Sequence, residues 1–546
     1  MLSSPPSVSR HTLLKIWSAV AVVALCLQLG GFPLLDPDEG RNAEVGREMA
    51  LTNDYVMPRL DGLPYLDKPI VYFAAEAAAM EVLGPTEAAA RLPALLFTIA
   101  TALLLWWFAA REWGRDEAWI AFIVALATPL AVAFSRTVIF DSALAFFITA
   151  ALIGFFLACG GGAAAFERYQ SGGPAAALQR WSLLAWAAMG LGVITKGPVA
   201  LAIPLLVAIP YAIYQKRLGN IFPLKGIVLF GIVIAPWVWA ISKAVPDFLH
   251  YVLVTETAQR LATKALKRTG PPWYFIPYLL GGALPWSFVL LGTRIDRRDR
   301  ANLYLLLWIA IPFLFFSLSQ SKRPQYILPL MPAVALLVAR VWCEARRGTR
   351  IAASVLIAAG IALIAAPFVV HLNEEFADGA RTCGIALGAC SLAGGLIAFV
   401  FVHRRWIALA VLSLPVLAIP LAVNPLMNGI GARRSTKELM QRMPAGDVVG
   451  VEAFTGSMAF YLQRPIIVVT PDAEEFTSNY LIRHYDQYAG TPTLQRPAVL
   501  DALLNDRTRS FIVRDGDAKN RALLERRGLR VIASAPHYVV YGGNER

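Results

Sequence analysis

Charge is scarce in this sequence. Only 16% of its 546 residues are Asp, Glu, Lys or Arg, against about 25% in soluble domains, while 57% are hydrophobic. A chain of that composition cannot cover its own surface with polar groups, which excludes an ordinary soluble protein. Cysteine is scarce too. Cys26, Cys159, Cys343, Cys383 and Cys390 are the full set, and each lies in or beside an apolar run. That excludes a disulfide framework and a CxxC metal site, and leaves them as small hydrophobes. Solenoid repeats are absent, and so is low complexity beyond the Gly/Ala stretch at 160–176. The net charge of +13 does not point to nucleic acid. The Lys and Arg residues sit mostly in short loops between apolar runs, where they set membrane topology.

What is present in abundance is apolar segments of membrane-crossing length. A bilayer core of about 30 Å needs about 20 apolar residues per helix. Thirteen candidate spans lie near 13–35, 89–110, 117–135, 139–159, 181–195, 199–214, 223–243, 273–292, 301–317, 326–343, 351–370, 383–402 and 406–425. The N-terminal MLSSPPSVSRHTLLK resembles the start of a signal peptide. The run behind it continues to Leu35 without a small-x-small cleavage site, which predicts a retained first span.

With the N-terminus inside, the inner loops collect seventeen cations, among them Arg111, Lys216, Arg298, Arg346 and Arg404. The short outer connections hold five: Arg136, Lys196, Lys322, Arg323 and Arg381. That bias fixes the orientation, and an odd number of spans puts the C-terminal region outside. Two outer segments are long, 36–88 and 244–272, and both read as helices lying at the membrane surface. Within the first, Ala43–Leu51 and Ile70–Val82 are amphipathic. From about residue 432 the pattern changes. DVVGVEAF, PIIVV, SFIV, LRVIA and HYVVYG read as strands, and STKELMQRM and KNRALLERRG as helices. The expected fold is an α-helical polytopic membrane domain over 1–431 with about thirteen transmembrane helices, followed by a small α/β domain over 432–546.

The exceptions to the charge bias carry the chemistry. Arg41, Arg59, Lys68, Arg136, Lys196, Arg260, Lys322 and Arg323 form a basic set on the outer side. Such a set suits a phosphate or pyrophosphate head group at the lipid interface. The plainer alternative for any single member is snorkelling towards lipid head groups. Carboxylates fall on the same side: Asp36, Asp38 and Glu39 after the first span, and Asp141 at the start of the fourth. A simple helix cap is the alternative for Asp141. A carboxylate among cations could take a proton from an acceptor hydroxyl, hold a cation, or orient an Arg or Lys that grips phosphate. The residues themselves leave these three open. Two Pro/Gly breaks, Thr195-Lys196-Gly197-Pro198 and Ser319 to Pro329, each place a Lys at the outer boundary.

Four ordered segments carry a resemblance: DEGRNAEVGREM (Asp38–Met49), YVMPRLDGLPYLDKP (Tyr55–Pro69), TKGP (195–198) and SKRPQYILP (321–329). The chain resembles bacterial GT-C glycosyltransferases that move a sugar from undecaprenyl phosphate. It is most similar to the aminoarabinose transferases that modify lipid A, within the superfamily that includes protein mannosyltransferases. The resemblance implies an inner-membrane enzyme with a periplasmic C-terminal domain. It implies inverting transfer of a sugar such as 4-amino-4-deoxy-L-arabinose from undecaprenyl phosphate to lipid A or a related acceptor. By position it makes Asp38 and Asp141 the catalytic acids, and Lys68 a contact to the donor phosphate. Arg41, Lys196, Arg260 and Lys322 complete the phosphate environment.

Three positions depart from the family pattern: Asn42 stands where a Tyr is usual, Asp67 replaces Glu, and Thr257 replaces His. The last two bear on a divalent metal, for which Asp67 is the candidate ligand in this chain. No other cofactor is implied. The rival readings are transfer of another sugar to protein or glycan, and transport of a lipid-linked sugar. Transporters commonly show inverted repeats and ionisable groups at mid-bilayer. Here the ionisable groups cluster at the outer boundary.

Overall fold

The computed structural model describes residues 10–162, 176–252, 270–370 and 373–543. Contacts divide the chain into two compact units. One comprises residues up to Leu29, Ala94–Val238 and Thr257–Pro425; the other comprises Gly30–Pro93, Trp239–Glu256 and Leu426–Arg546.

The first unit is helical. Eight of the thirteen expected spans are helical segments long and apolar enough to cross a bilayer: Glu87–Glu112, Asp141–Ala158, Leu218–Ala244, Arg300–Leu318, Pro324–Val341, Arg346–Val369, Phe376–Val400 and Arg405–Ala422. Of the other five, the run at 181–195 lies in the unbroken 21-residue helix Ala176–Lys196, and the remaining four are shorter or interrupted. Arg10–Cys26 has 17 residues and Val199–Tyr214 has 16. The run at 117–135 is split into Arg115–Leu126 and Pro129–Ser135, because Pro129 starts a new helix. The run at 273–292 is split at Leu284-Pro285 into Phe275–Gly282 and Trp286–Leu291. Proline lacks the N–H that a continuing helix needs, so a long apolar run containing it reads as one span while folding as two helices.

Close helix pairing rests on small residues. Arg346–Val369 packs along Glu374–Val400. A Cβ at Gly360 would lie 2.7 Å from the Leu392 amide nitrogen, and one at Gly388 would lie 2.8 Å from the Gly360 carbonyl oxygen. Among apolar helices, van der Waals contact of this kind replaces the hydrophobic drive that water would supply.

The second unit holds both helices expected in the first outer segment, Asp38–Thr52 and Val71–Leu83. Between them a tight hairpin joins β1 (Arg59–Leu60) to β2 (Leu63–Pro64). Its turn residues Asp61 and Gly62 take φ of 54° and 77°, the sense that matches strand twist and favours Asp-Gly. The C-terminal region of the unit is an α/β fold around six strands: β3 (Val448–Val451), β4 (Ile467–Val469), β5 (Leu494–Gln495), β6 (Ser510–Arg514), β7 (Arg530–Ala535) and β8 (Tyr538–Gly542). Their order is β5-β4-β3-β6-β8-β7, parallel from β5 to β6 and antiparallel beyond. The five expected strands are all present, and β5 is an addition. Side chains at every second position build one core face, with Val449, Val451, Phe511, Val513, Val539 and Tyr541 against Leu500, Leu504 and Leu524.

Candidate functional site

In the second unit the segment after residue 35 is pinned by its acids. Glu39 and Arg91 form a buried two-pronged ion pair, Nε to Oε1 at 3.0 Å and Nη2 to Oε2 at 2.9 Å. Arg91 also donates to the carbonyls of Phe32 and Pro33. Asp36 accepts from the backbone N–H of Ser457 at 3.2 Å and from its hydroxyl. Burial pushes the Asp36 carboxyl up to about 6 against these hydrogen bonds. Gly40 and Gly456 face one another here. A Cβ at Gly40 would lie 2.5 Å from the Ser457 nitrogen, and one at Gly456 would overlap the backbone of Arg41. The DEGR glycine is therefore required by close approach.

Asp38 is left different from its neighbours. Its side chain is 37% exposed and pairs with Arg41 at 2.7 Å, whereas the Glu39 side chain is 5% exposed. Arg41 also donates to the hydroxyl of Thr477 at 2.6 Å and to its carbonyl at 3.2 Å. Lys68 is half-buried and donates to the Asp67 carbonyl at 2.6 Å.

The Asp67 carboxylate accepts three hydrogen bonds, from the Tyr251 hydroxyl at 2.6 Å, the Asn479 N–H at 2.9 Å and the Tyr480 N–H at 3.1 Å. A carboxylate whose lone pairs are taken by three protein donors is poorly placed to bind a cation. Among the described residues, no group of three or more His, Cys, Asp and Glu is arranged to hold a metal. Among the described residues the donor set around Asp67 does not fit a metal site, and the hydrogen bonds from Tyr251, Asn479 and Tyr480 make Asp67 a clamp. Position 257 lies outside the described residues.

The first unit contributes a second acid–base pair. Asp141 is the first residue of its helix, with Phe140 at the cap position, and its carboxylate accepts from the Lys196 ammonium. Both are withdrawn from solvent, at 2% and 15% side-chain exposure. The TKGP break is explained locally. Lys196 ends its helix, Gly197 takes φ 103°, and Val199 begins the next helix after Pro198. The Lys196 ammonium also lies 5.3 Å from the centre of the Tyr326 ring. Lys322 is buried and donates to the carbonyls of Ser317 at 2.6 Å and Ser319 at 3.0 Å. Burial pulls its ammonium below the usual range. Two carbonyls leave one of its three N–H donors for a ligand.

Arg136 turns out to be structural. It donates to the carbonyls of Leu25 and Leu27 at 2.9 and 2.8 Å, and also to that of Gln28, closing the C-terminal end of Arg10–Cys26. Arg260 lies outside the described residues, as does most of 244–272. The residues that sequence reasoning missed are the partners supplied late in the chain or far along it: Arg91, Tyr251, Ser457, Thr477, Asn479 and Tyr480. Their partnerships span up to 436 positions, and no local pattern signals them.

Residues 43–252 match the Dolichyl-phosphate-mannose-protein mannosyltransferase family. The match covers Lys68, Asp141 and Lys196. The undecaprenyl phosphate-alpha-4-amino-4-deoxy-L-arabinose arabinosyl transferase of Edwardsiella ictaluri is 33% identical over 434 residues, which cover 73% of this chain and 75% of that protein. The chain belongs to this arabinosyl transferase family. The Aeromonas salmonicida member is 35% identical over 321 residues, spanning 57% of each chain. The Erwinia tasmaniensis member is 32% identical over 409 residues, spanning 70% of this chain and 72% of its own. The crystal structure of ArnT from Cupriavidus metallidurans bound to undecaprenyl phosphate has a TM-score of 0.83 at 24% identity, with 98% of this chain and 100% of that one covered. The fold of this family member, a multi-pass helical membrane protein with a small C-terminal sheet, is therefore the fold of that structure.

Proposed function

We propose that this chain transfers 4-amino-4-deoxy-L-arabinose from undecaprenyl phosphate to lipid A. The observation that carries the reading is the relative of that name, 33% identical along three quarters of its length. The geometry supports it by leaving usable groups at the expected positions. In the segment from Asp36 to Arg41, Asp36 and Glu39 are tied up in the fold, while Asp38 stays partly exposed beside a guanidinium.

In this reading the cations Lys68, Arg41, Lys196 and Lys322, with Arg260, hold the donor phosphate. They stabilise the charge that gathers on it as the glycosidic bond breaks, the kind of electrostatic contribution that is often the largest in catalysis. Asp38 orients the attacking acceptor oxygen or takes its proton. Where the acceptor is a lipid A phosphate, it is already a nucleophile at neutral pH, and orientation suffices. Asp141 holds Lys196 in place. The same reading puts the chain in the bacterial inner membrane, with its N-terminus cytoplasmic and residues 432–546 forming a periplasmic domain. That orientation is supported by the excess of Lys and Arg in the inner loops.

The test is mass spectrometry of lipid A from cells lacking the native gene product and complemented with wild-type or Asp38→Ala protein. Wild type is expected to restore the aminoarabinose addition and Asp38→Ala to abolish it. Restoration by both would remove Asp38 from the mechanism. Restoration by neither would move the acceptor or the sugar elsewhere.

A further inference from the structure

The C-terminal sheet has a topological switch point. From β3 the chain moves outward through β4 to β5, then returns to place β6 on the other side of β3. At such a point the connections leaving the two neighbouring strands diverge, and a crevice opens outside their carboxyl ends. In open α/β sheets that crevice is the usual ligand site. Here a groove of about 800 Å³ lies at that place, lined by Glu452 from the end of β3, Arg514 and Asp515 from the end of β6, and His537 and Tyr538 from the start of β8. Its volume falls within the range of small-molecule sites.

The lining is chemically open. Among the described residues, the carboxylate of Glu452 and the imidazole of His537 make no hydrogen bond or ion pair. Glu452 also takes φ 47°, a backbone conformation that L side chains rarely adopt. Arg514 is 53% exposed and only loosely engaged, 3.6 Å from Glu475. Its cross-strand partner is Tyr538, which also lines the groove. Asp515, by contrast, is paired with Arg521.

We propose that this groove holds the sugar rings of the glycolipid acceptor, an inference that rests on the glycosyltransferase reading above. Sugar hydroxyls donate and accept at once. A carboxylate, a guanidinium and an imidazole converging on one space can bind vicinal hydroxyls in pairs, with Tyr538 packing against a ring. The wall is mostly polar, with Pro536 and Tyr538 as its apolar part, which suits a sugar better than an apolar ligand. The groove is also too large and open for a single pentose, which favours a disaccharide of the acceptor over the donor's one sugar. The position is apt. The Tyr538 hydroxyl is pushed up to about 12 by burial and by the negative charge of Asp36, two residues before Asp38.

The experiment uses the full-length protein in nanodiscs and deacylated lipid A disaccharide as the probe, followed by saturation-transfer NMR. Wild type is expected to bind it. Glu452→Gln and Arg514→Ala are each expected to weaken binding and raise the acceptor KM about tenfold, the scale of one lost charged hydrogen bond, with the donor KM and the melting temperature unchanged. No binding by wild type, or binding by both variants as tight as that of wild type, overturns the proposal. An active Asp38→Ala protein with binding still lost in Arg514→Ala would instead overturn the catalytic reading and leave the groove standing.

Discussion

At the scale of single residues, the second unit contains two acids that behave in opposite ways. Glu39 is buried with a full complement of donors from Arg91 and the Leu35 N–H. Removing Arg91 strands that carboxylate, so Arg91→Met is expected to cost about 3–5 kcal/mol, read as a loss of folded protein in a thermal melt. Glu76 is fully buried, and among the described residues neither of its carboxylate oxygens has a hydrogen-bond partner. Burial, and then the charge of Glu39, hold its pKa well above the ordinary value. Glu76→Gln is expected to leave stability unchanged at acid pH and to raise it at neutral pH, where the unfolded chain gains by ionising Glu76. A variant less stable than wild type at pH 7 would show that an ionised Glu76 has a partner after all.

At the scale of elements, Arg136 is expected to matter for folding and not for substrate. Arg136→Met leaves the last carbonyls of Arg10–Cys26 without donors, at about 1–3 kcal/mol for each buried one. The yield of folded protein should fall, while the donor KM of what folds should not change. Asp67 should show the reverse. Asp67→Asn turns an acceptor into a donor opposite the Asn479 N–H, loosening the loop that carries Lys68. It is expected to raise the donor KM, and a double variant with Lys68→Ala should be no worse than Lys68→Ala alone. Chelators should not change the wild-type rate; a rate lost on chelation and restored by a divalent ion would contradict the clamp.

These elements also show what could be read from the sequence. Helices Asp38–Thr52 and Val71–Leu83 were legible from periodicity, and the strands around Val449, Phe511 and Val540 from alternating apolar residues bounded by turns. The span at 117–135 was not legible as two helices, because Pro129 inside an apolar run looks the same whether it kinks a helix or starts one. The role of Asp67 was hidden for another reason. A carboxylate beside a Lys has the same local appearance as ligand or as clamp, and the deciding donors at Tyr251, Asn479 and Tyr480 lie 184 to 413 positions away.

At the scale of the molecule, raised carboxylate pKa values set a pH dependence. Burial first, then the charge of Glu44, push Glu48 up to about 8 from an ordinary 4.5, and burial pushes Asp36 up to about 6 from 3.8. Each folded-state value is raised, so each contribution to stability is complete below the unfolded value and is lost as pH rises through the folded one. The melting temperature is therefore expected to fall between about pH 4 and pH 8. Glu48→Gln should flatten the upper part of that slope. A melting temperature that rises across this range would refute the assignment.

The bond from Ser457 to Asp36 reaches across 421 positions of the chain. At the usual rate of synthesis, about 5–20 residues per second, the segment bearing Asp38 is made roughly 20–80 s before its anchor exists. During that interval the ribosome has delivered most of the membrane helices but not the surface that seats the acid. A prematurely terminated copy would lodge in the bilayer with that segment unfastened. Dependence on the last-made part of the chain means that only a finished molecule can hold the segment after residue 35 in its folded place.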